Sequence, residues 1–188
     1  MPNTTIRTSV TDPLRIATLP VTGGGAIGVT FAPGKHQVNA MSGGTWQRDL
    51  DVDLQAIKRW GADVLITLLE QEELTELAIA PLASRAEAAG LRWFGLPITD
   101  GAAPDDRFLV PWSELGPRFA RELQNGGRLV VHCKGGLGRA GTVACLLLHA
   151  TGAARGADEA MAMVRAVRRG AIETKAQESF LHAWYSQG

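Results

Sequence analysis

Arg128-Leu129-Val130-Val131-His132-Cys133-Lys134-Gly135-Gly136-Leu137-Gly138-Arg139-Ala140-Gly141-Thr142 is the stretch on which the fold turns. It opens as an apolar β-type run. A glycine-rich loop with one cysteine and one arginine follows, and then a helix-forming run. Glycines at 135, 136 and 138 let such a loop curl so that successive backbone N–H groups face inward. The helix behind it adds its own N-terminal donors. The expected product is an anion nest, and a thiolate at its floor is stabilised by the same positive potential.

Working outward, the chain alternates strand and helix signals. Leu14 to Leu19 reads as an edge strand, and 26–31 as a second strand ended by Ala32-Pro33-Gly34. Gly23, Gly25 and Gly28 match a G-x-G-x-x-G pattern, but the pattern needs a helix to follow and here a strand follows. A hairpin is expected there, not a nucleotide site. Lys35 to Gln47 is polar and reads as loop. Leu50, Leu54 and Ile57 have helical spacing, with Asp49 or Asp51 as cap and Gly61 as stop.

The near-continuous apolar run 62–69 predicts a strand buried on both faces. A helix over 72–89 follows, with a new segment at Pro81, and then a strand over 91–98. That strand empties into the acidic turn segment Thr99 to Asp106. Helices are expected over 112–124, 141–150, 158–169 and 175–185. The whole predicts an α/β domain with a central, mostly parallel sheet flanked by helices. Residues 1–13 read as a flexible lead-in and 14–188 as one domain. Ligands of such sheets sit beyond the C-terminal strand ends, where Asp100 and Cys133 both fall.

Composition sets bounds. The 188 residues suit one well-buried domain, with 45% hydrophobic and 20% charged side chains. Nineteen basic residues balance nineteen acidic ones, so no broad attraction to nucleic acid or anionic membrane is expected. Two cysteines make no disulfide framework and fit a reducing, cytoplasmic setting. Residues 1–20 lack a basic segment followed by an apolar core, so no signal peptide is expected. The apolar run 143–150 is too short to span a bilayer.

The chemistry follows from the residue types. Cys133 is the candidate nucleophile. Arg139, with its planar fork, is the candidate clamp for two oxygens of a phosphoryl group. The loop residues Lys134, Gly135, Gly136, Leu137 and Gly138 would hold the remaining oxygens, so a phosphate or another oxyanion is the expected occupant. Such a site predicts a phosphatase. Its leaving group needs a proton, and Asp100, Asp105 and Asp106 are all in reach of that role. His132 is expected to orient Cys133 as a neutral ring. Lys134 reads as facing the pocket mouth. Gln177 either positions water or faces solvent. Cys145 reads as a buried apolar residue, and His149 and His182 as partly buried. His36 stands alone in a loop. Arg165, Arg168 and Arg169 are expected to complement a helix dipole. No His, Cys or Asp grouping has metal spacing.

Residues 132–139 fit H-C-x-x-G-x-x-R, and the chain resembles the cysteine-dependent protein tyrosine phosphatases in their compact dual-specificity branch. Trp46-Gln47-Arg48-Asp49-Leu50, Asp53-Leu54, Trp60-Gly61-Ala62, Leu68-Leu69-Glu70, Pro97-Ile98-Thr99-Asp100-Gly101 and 135–139 further resemble the cyclin-dependent-kinase-associated phosphatases. The resemblance implies Cys133 as nucleophile, Arg139 as clamp and Asp100 as general acid. It implies a phosphorylated protein substrate, no metal and no cofactor. Ala140 departs from the family pattern, where Ser or Thr helps the thiolate leave the intermediate. Phosphatases of the regenerating-liver type share this alanine, which implies slow release. Two other readings stay open. One is a small-molecule or phosphoinositide phosphatase, favoured by Lys134, although Leu137 stands where a second lysine would. The other is a weakly active phosphate-binding module, suggested by Ala140.

Overall fold

A computed structural model describes residues 5–188; residues 1–4 of the expected lead-in lie outside the described part. In chain order the elements are β1 (Ile6–Arg7), β2 (Ala17–Pro20), β3 (Ala26–Thr30), β4 (His36–Gln37), β5 (Thr45–Gln47), α1 (Leu50–Trp60), β6 (Val64–Thr67), α2 (Gln71–Glu76), α3 (Leu82–Ala88), β7 (Arg92–Gly95), α4 (Asp106–Gln124), β8 (Arg128–His132), α5 (Gly138–Ala150), α6 (Ala157–Val167) and α7 (Lys175–Tyr185).

The central sheet has the order β2-β3-β8-β6-β7, parallel except for the β2–β3 hairpin at one edge. β6 and β8 sit inside it, covered on both faces. Their residues alternate between two cores: Val64, Ile66, Leu129 and Val131 pack on one side, Leu65 and Val130 on the other. This is why both read as unbroken apolar runs. The larger core holds α4, α5, α6 and α7, and α5 is buried along nearly its whole length. The smaller core is built with α1 and α3. Among the described residues, no helix is long and apolar enough to cross a membrane.

Several local expectations hold. Asp49 caps α1 by accepting from the Val52 N–H, and Gly61 ends it at φ 102°. The glycine run 23–25 is a hairpin turn: Pro20 pairs with Ala26, and Ala26 pairs with Arg128 at the start of β8. It therefore lies at the sheet end opposite Cys133. A Cβ at Gly23 would stand 1.9 Å from the Gln124 carbonyl oxygen, so close backbone approach explains that glycine.

Other boundaries move. The edge strand starts at Ala17 instead of Leu14. The helical stretch after β6 breaks into α2 and α3. Helix α4 begins at Asp106, six residues early, because Asp105 accepts from the Arg107 N–H as N-cap. Helix α5 begins at Gly138, so Arg139 belongs to its first turn.

The segment expected to be loop, 35–47, carries β4 and β5, which form a small sheet with β1. The expectation of a flexible lead-in is corrected over residues 6–12. β1 pairs with β5, and Ser9 Oγ bonds the Asp49 backbone. The hub of this arrangement is a buried ion pair. Arg48 meets Asp53 in two hydrogen bonds of 2.7 and 2.9 Å. Arg48 also donates to the Asp12 carbonyl at 2.7 Å, and Asp53 accepts from the Gly34 N–H at 2.8 Å. One pair thus joins the lead-in, the turn after β3 and α1. Removing one partner of such a pair strands a buried charge, which costs about 3–5 kcal/mol. Asp53→Ala is therefore expected to lose about that much stability in urea titration. A loss below about 1 kcal/mol would show that the hub is dispensable.

Candidate active site

β8 ends at His132, and the chain then turns through 133–137 into α5. None of the backbone N–H groups of 134–140 donates to a protein acceptor among the described residues. Leu137, the N-cap, supplies no side-chain acceptor. These donors remain available to an anion, with the helix N-terminus behind them. Gly136 has φ 69°, and a Cβ there would meet the Thr30 carbonyl carbon at 2.5 Å. That glycine is required by both backbone and space. Gly135, with open space around it, is not. Arg168, expected to serve a helix dipole, instead braces the loop from outside. Its Nε donates to the Gly136 carbonyl at 3.0 Å and one Nη to the Gly135 carbonyl at 2.8 Å. Arg165 bonds the Ala171 and Ile172 carbonyls and pairs with Glu178.

Arg139 is 2% exposed. Glu73, from α2, takes both its Nη groups at 2.7 and 2.8 Å, and the Ile98 carbonyl accepts at 3.0 Å. Burial would raise the Glu73 carboxyl, but the hydrogen bonds from Arg139 and from the Glu70 N–H prevail and hold it below the usual range. Arg139 Nε is buried with no partner. A buried guanidinium with an open edge lies beside the free thiol Cys133, an arrangement whose donors suit an oxyanion.

Of the three candidate aspartates, Asp100 alone lines the pocket with Cys133 and Arg139. Its Oδ1 lies 3.3 Å from an Arg139 Nη, and its side chain is 70% exposed. Asp105 is engaged as a cap and by Arg107, whose hydrogen bonds keep its carboxyl low. Asp106 opens α4 away from the pocket lining. Gln177 does not face solvent; it is fully buried. Its Oε1 accepts from the Glu173 and Thr174 N–H groups, and its Nε2 reaches the Ala102 carbonyl at 3.5 Å. Thr174 Oγ1 donates to the Gly101 carbonyl at 2.8 Å. The start of α7 thereby anchors the loop that carries Asp100.

His132 is buried, and its ring is placed by two bonds. Nδ1 faces the Cys133 carbonyl at 3.2 Å, so it carries the proton. Nε2 then accepts from Thr67 Oγ1 at 2.7 Å, and Thr67 in turn accepts from Trp93 Nε1 at 2.8 Å. This chain of bonds fixes a neutral tautomer. Burial, aided by Arg139, pushes the ring down to about 4. Lys134 and Leu137 line the pocket as expected. Cys145 is buried in the core, and burial pushes its thiol up to about 12. His149 packs edge-on against Tyr185. His182 is exposed beside Asp158, not partly buried, and His36 lies on β4. Thr142 gives its hydroxyl to the Gly138 carbonyl at 2.8 Å. It is thus committed to the helix backbone and leaves position 140 unreplaced.

A thiol and a buried arginine held by a strand–loop–helix turn, with a carboxylate from the segment after β7, define the class of cysteine-dependent phosphatase sites. The chain belongs to one family of that class: the model described as PTP-SAK, Swiss Army Knife protein, DSP-PTPase phosphatase domain, matches residues 35–181. It is 30% identical to mouse (Mus musculus) cyclin-dependent kinase inhibitor 3 over 137 residues, 72% of this chain and 63% of that protein. It is 31% identical to bovine (Bos taurus) protein tyrosine phosphatase type IVA 3 over 123 residues, 65% of this chain and 64% of that one. The chain thus spans just under two thirds of the length of these relatives. A solved kinase-associated phosphatase, with its catalytic-site cysteine changed to serine, superposes with a TM-score of 0.79. That match has 25% identity and covers 94% of this chain and 96% of that one.

The His132 ring sets a pH signature. An unfolded histidine titrates near ~6.5, and the buried one near about 4. The neutral ring therefore contributes fully above pH ~6.5, and the contribution falls as pH drops from there to about 4, by about 3 kcal/mol in all. Urea unfolding of wild type should show this slope, and His132→Gln should lack it. Parallel pH curves for the two would contradict the assignment.

Proposed function

We propose that residues 14–188, with 6–12 tied onto them by β1 and Arg48, form one phosphatase domain that hydrolyses phosphomonoesters of protein side chains through a phosphocysteine. The observation that carries this is the unpartnered, buried Nε of Arg139 beside Cys133 and the free N–H groups of 134–140. Three elements meet there that phosphoryl transfer requires: nucleophile, charge clamp and proton source.

In the first step the Cys133 thiolate attacks phosphorus. The ester P–O bond breaks, and its electron pair goes to the leaving oxygen. Asp100 supplies the proton that this oxygen takes. The loop donors and Arg139 bond the equatorial oxygens throughout and favour the transition state. In the second step water attacks phosphorus and gives a proton to Asp100. The S–P bond breaks and the thiolate returns. The phosphoprotein class is supported by the protein tyrosine phosphatase and kinase-associated relatives. Both cysteines are free, which supports a reducing compartment such as the cytoplasm.

The second step is the weak one. Ala140 is fully buried in the same core cluster as Cys133 and offers the departing sulfur no hydroxyl. One added hydrogen bond contributes roughly 1 kcal/mol, or about fivefold in rate.

Hydrolysis of an aryl phosphate tests the scheme. Cys133→Ser is expected to lose all turnover, and Asp100→Asn to lose about 10²–10⁴-fold of it on poor leaving groups. Turnover that survives Cys133→Ser would end the scheme. Ala140→Ser is expected to speed the decay of the intermediate roughly fivefold; an unchanged decay would remove Ala140 from the account.

A further inference from the structure

Among the described residues, the lysine, arginine, aspartate and glutamate side chains that are buried are Lys35, Arg48, Asp53 and Arg139. Arg48 meets Asp53, and Arg139 meets Glu73. Lys35 is 5% exposed and has no carboxylate within ion-pair distance among the described residues. A buried ammonium is costly without a counter-ion, so its anion has to be sought elsewhere than among the carboxylates.

The sheet register explains where Lys35 stands. β3 and β8 run parallel, with Thr30 level with His132. Past their ends one more bond follows, from the Ala32 N–H to the Lys134 carbonyl at 3.3 Å. The chain then turns at Gly34, where φ is 71°, and the Lys35 ammonium donates to the same carbonyl at 3.2 Å. The ammonium is thereby fixed to the residue that directly follows Cys133. It also lies 4.8 Å from the Phe31 ring and 5.0 Å from the Trp46 ring. The Arg48 guanidinium lies over the same two rings, at 5.0 and 5.4 Å. Two cations thus share this spot with one buried carboxylate, Asp53, and Arg48 engages it through both oxygens. One positive charge is left over.

Cys133 can supply the missing anion. Its thiol is free and 3% exposed, and it lines the same pocket as Lys35. Burial pushes Lys35 down to about 8; the charge of the Cys133 sulfur opposes that fall, and Arg48, Lys134 and Arg168 add to it. The other acids of this pocket, Asp100 and Glu173, are exposed to water, which screens them. Its other cations are Arg15, Lys134, Arg139 and Arg168. His132 is neutral and adds no charge.

We propose that Lys35 is the buried counter-ion of the Cys133 thiolate and sets the pH range over which that sulfur is ionised. It is a positioning residue that acts through the sulfur. Both groups are out of water, so their attraction is weakly screened, and each favours the charged state of the other. The inference deepens the phosphatase reading above and rests on it for the use made of the thiolate.

Alkylation of Cys133 by iodoacetamide between about pH 5 and 9, mapped by mass spectrometry, reads the thiolate without any substrate. Lys35→Met is expected to raise the midpoint by about one unit, so that alkylation below both midpoints is about tenfold slower. Lys35→Arg keeps the charge and should return the midpoint to within about half a unit of wild type. A reciprocal titration needs no change at 35. In chains carrying 13C-labelled lysine, the Lys35 signal of Cys133→Ser should titrate about one unit below that of wild type, because the anion that holds it up is gone. An unchanged thiol midpoint in folded Lys35→Met, a Lys35→Arg midpoint equal to that of Lys35→Met, or an unchanged Lys35 titration in Cys133→Ser would each overturn the proposal. Both shifts in a chain that hydrolyses no aryl phosphate would sustain the pair and defeat the phosphatase reading. Hydrolysis with neither shift would do the reverse.

Discussion

A guanidinium with almost no solvent contact, that of Arg139, constrains everything near the site. Burying a cation is costly unless its donors are satisfied, and here the protein satisfies only part of them. Glu73 and the Ile98 carbonyl take the Nη side. This ties the helix after β6, the segment after β7 and the first turn of α5 to one group. The Nε edge is left to the nest. The same pair that stabilises the fold therefore sets which edge of Arg139 faces the loop, the edge that would hold an oxyanion under the proposed function.

A second layer of constraint acts through neutral bonds. Trp93, Thr67 and His132 run across β7, β6 and β8 and end on the Cys133 carbonyl. The three strands thus fix the backbone of Cys133 without adding charge beside it. Gln177 and Thr174 do the same for the loop of Asp100. Asp100, the acid of the proposed function, stays mostly exposed, which suits a group that would exchange protons with water and leaving group in turn.

Much of this was legible in the residues. The run 128–142 announced strand, nest and helix, because apolar continuity and glycine punctuation are local signals. Asp49 and Gly61 announced α1 for the same reason. What stayed hidden depends on long-range charge pairing. Glu73 sits among Glu70, Glu72 and Glu76, and nothing in their spacing says which one meets Arg139. Arg168 looks like any arginine at a helix end, yet it crosses to the Gly135 and Gly136 carbonyls. The Arg48–Asp53 hub was invisible too, so 6–12 read as loose and 35–47 as loop. By residue type alone Asp105 and Asp100 are alike; the resemblance favours Asp100, and the placement of α4 gives the physical reason, making Asp105 a cap and leaving Asp100 in the pocket.

The central claim is that Cys133 carries the phosphoryl group between two steps. Intact-mass spectrometry after rapid quenching tests it, with an aryl phosphate in excess and turnover in progress. The account predicts one added phosphoryl group per chain, mapped to Cys133 and long-lived because Ala140 offers no hydroxyl. Continuing turnover with no adduct at any quench time, or an adduct on another residue, would contradict it.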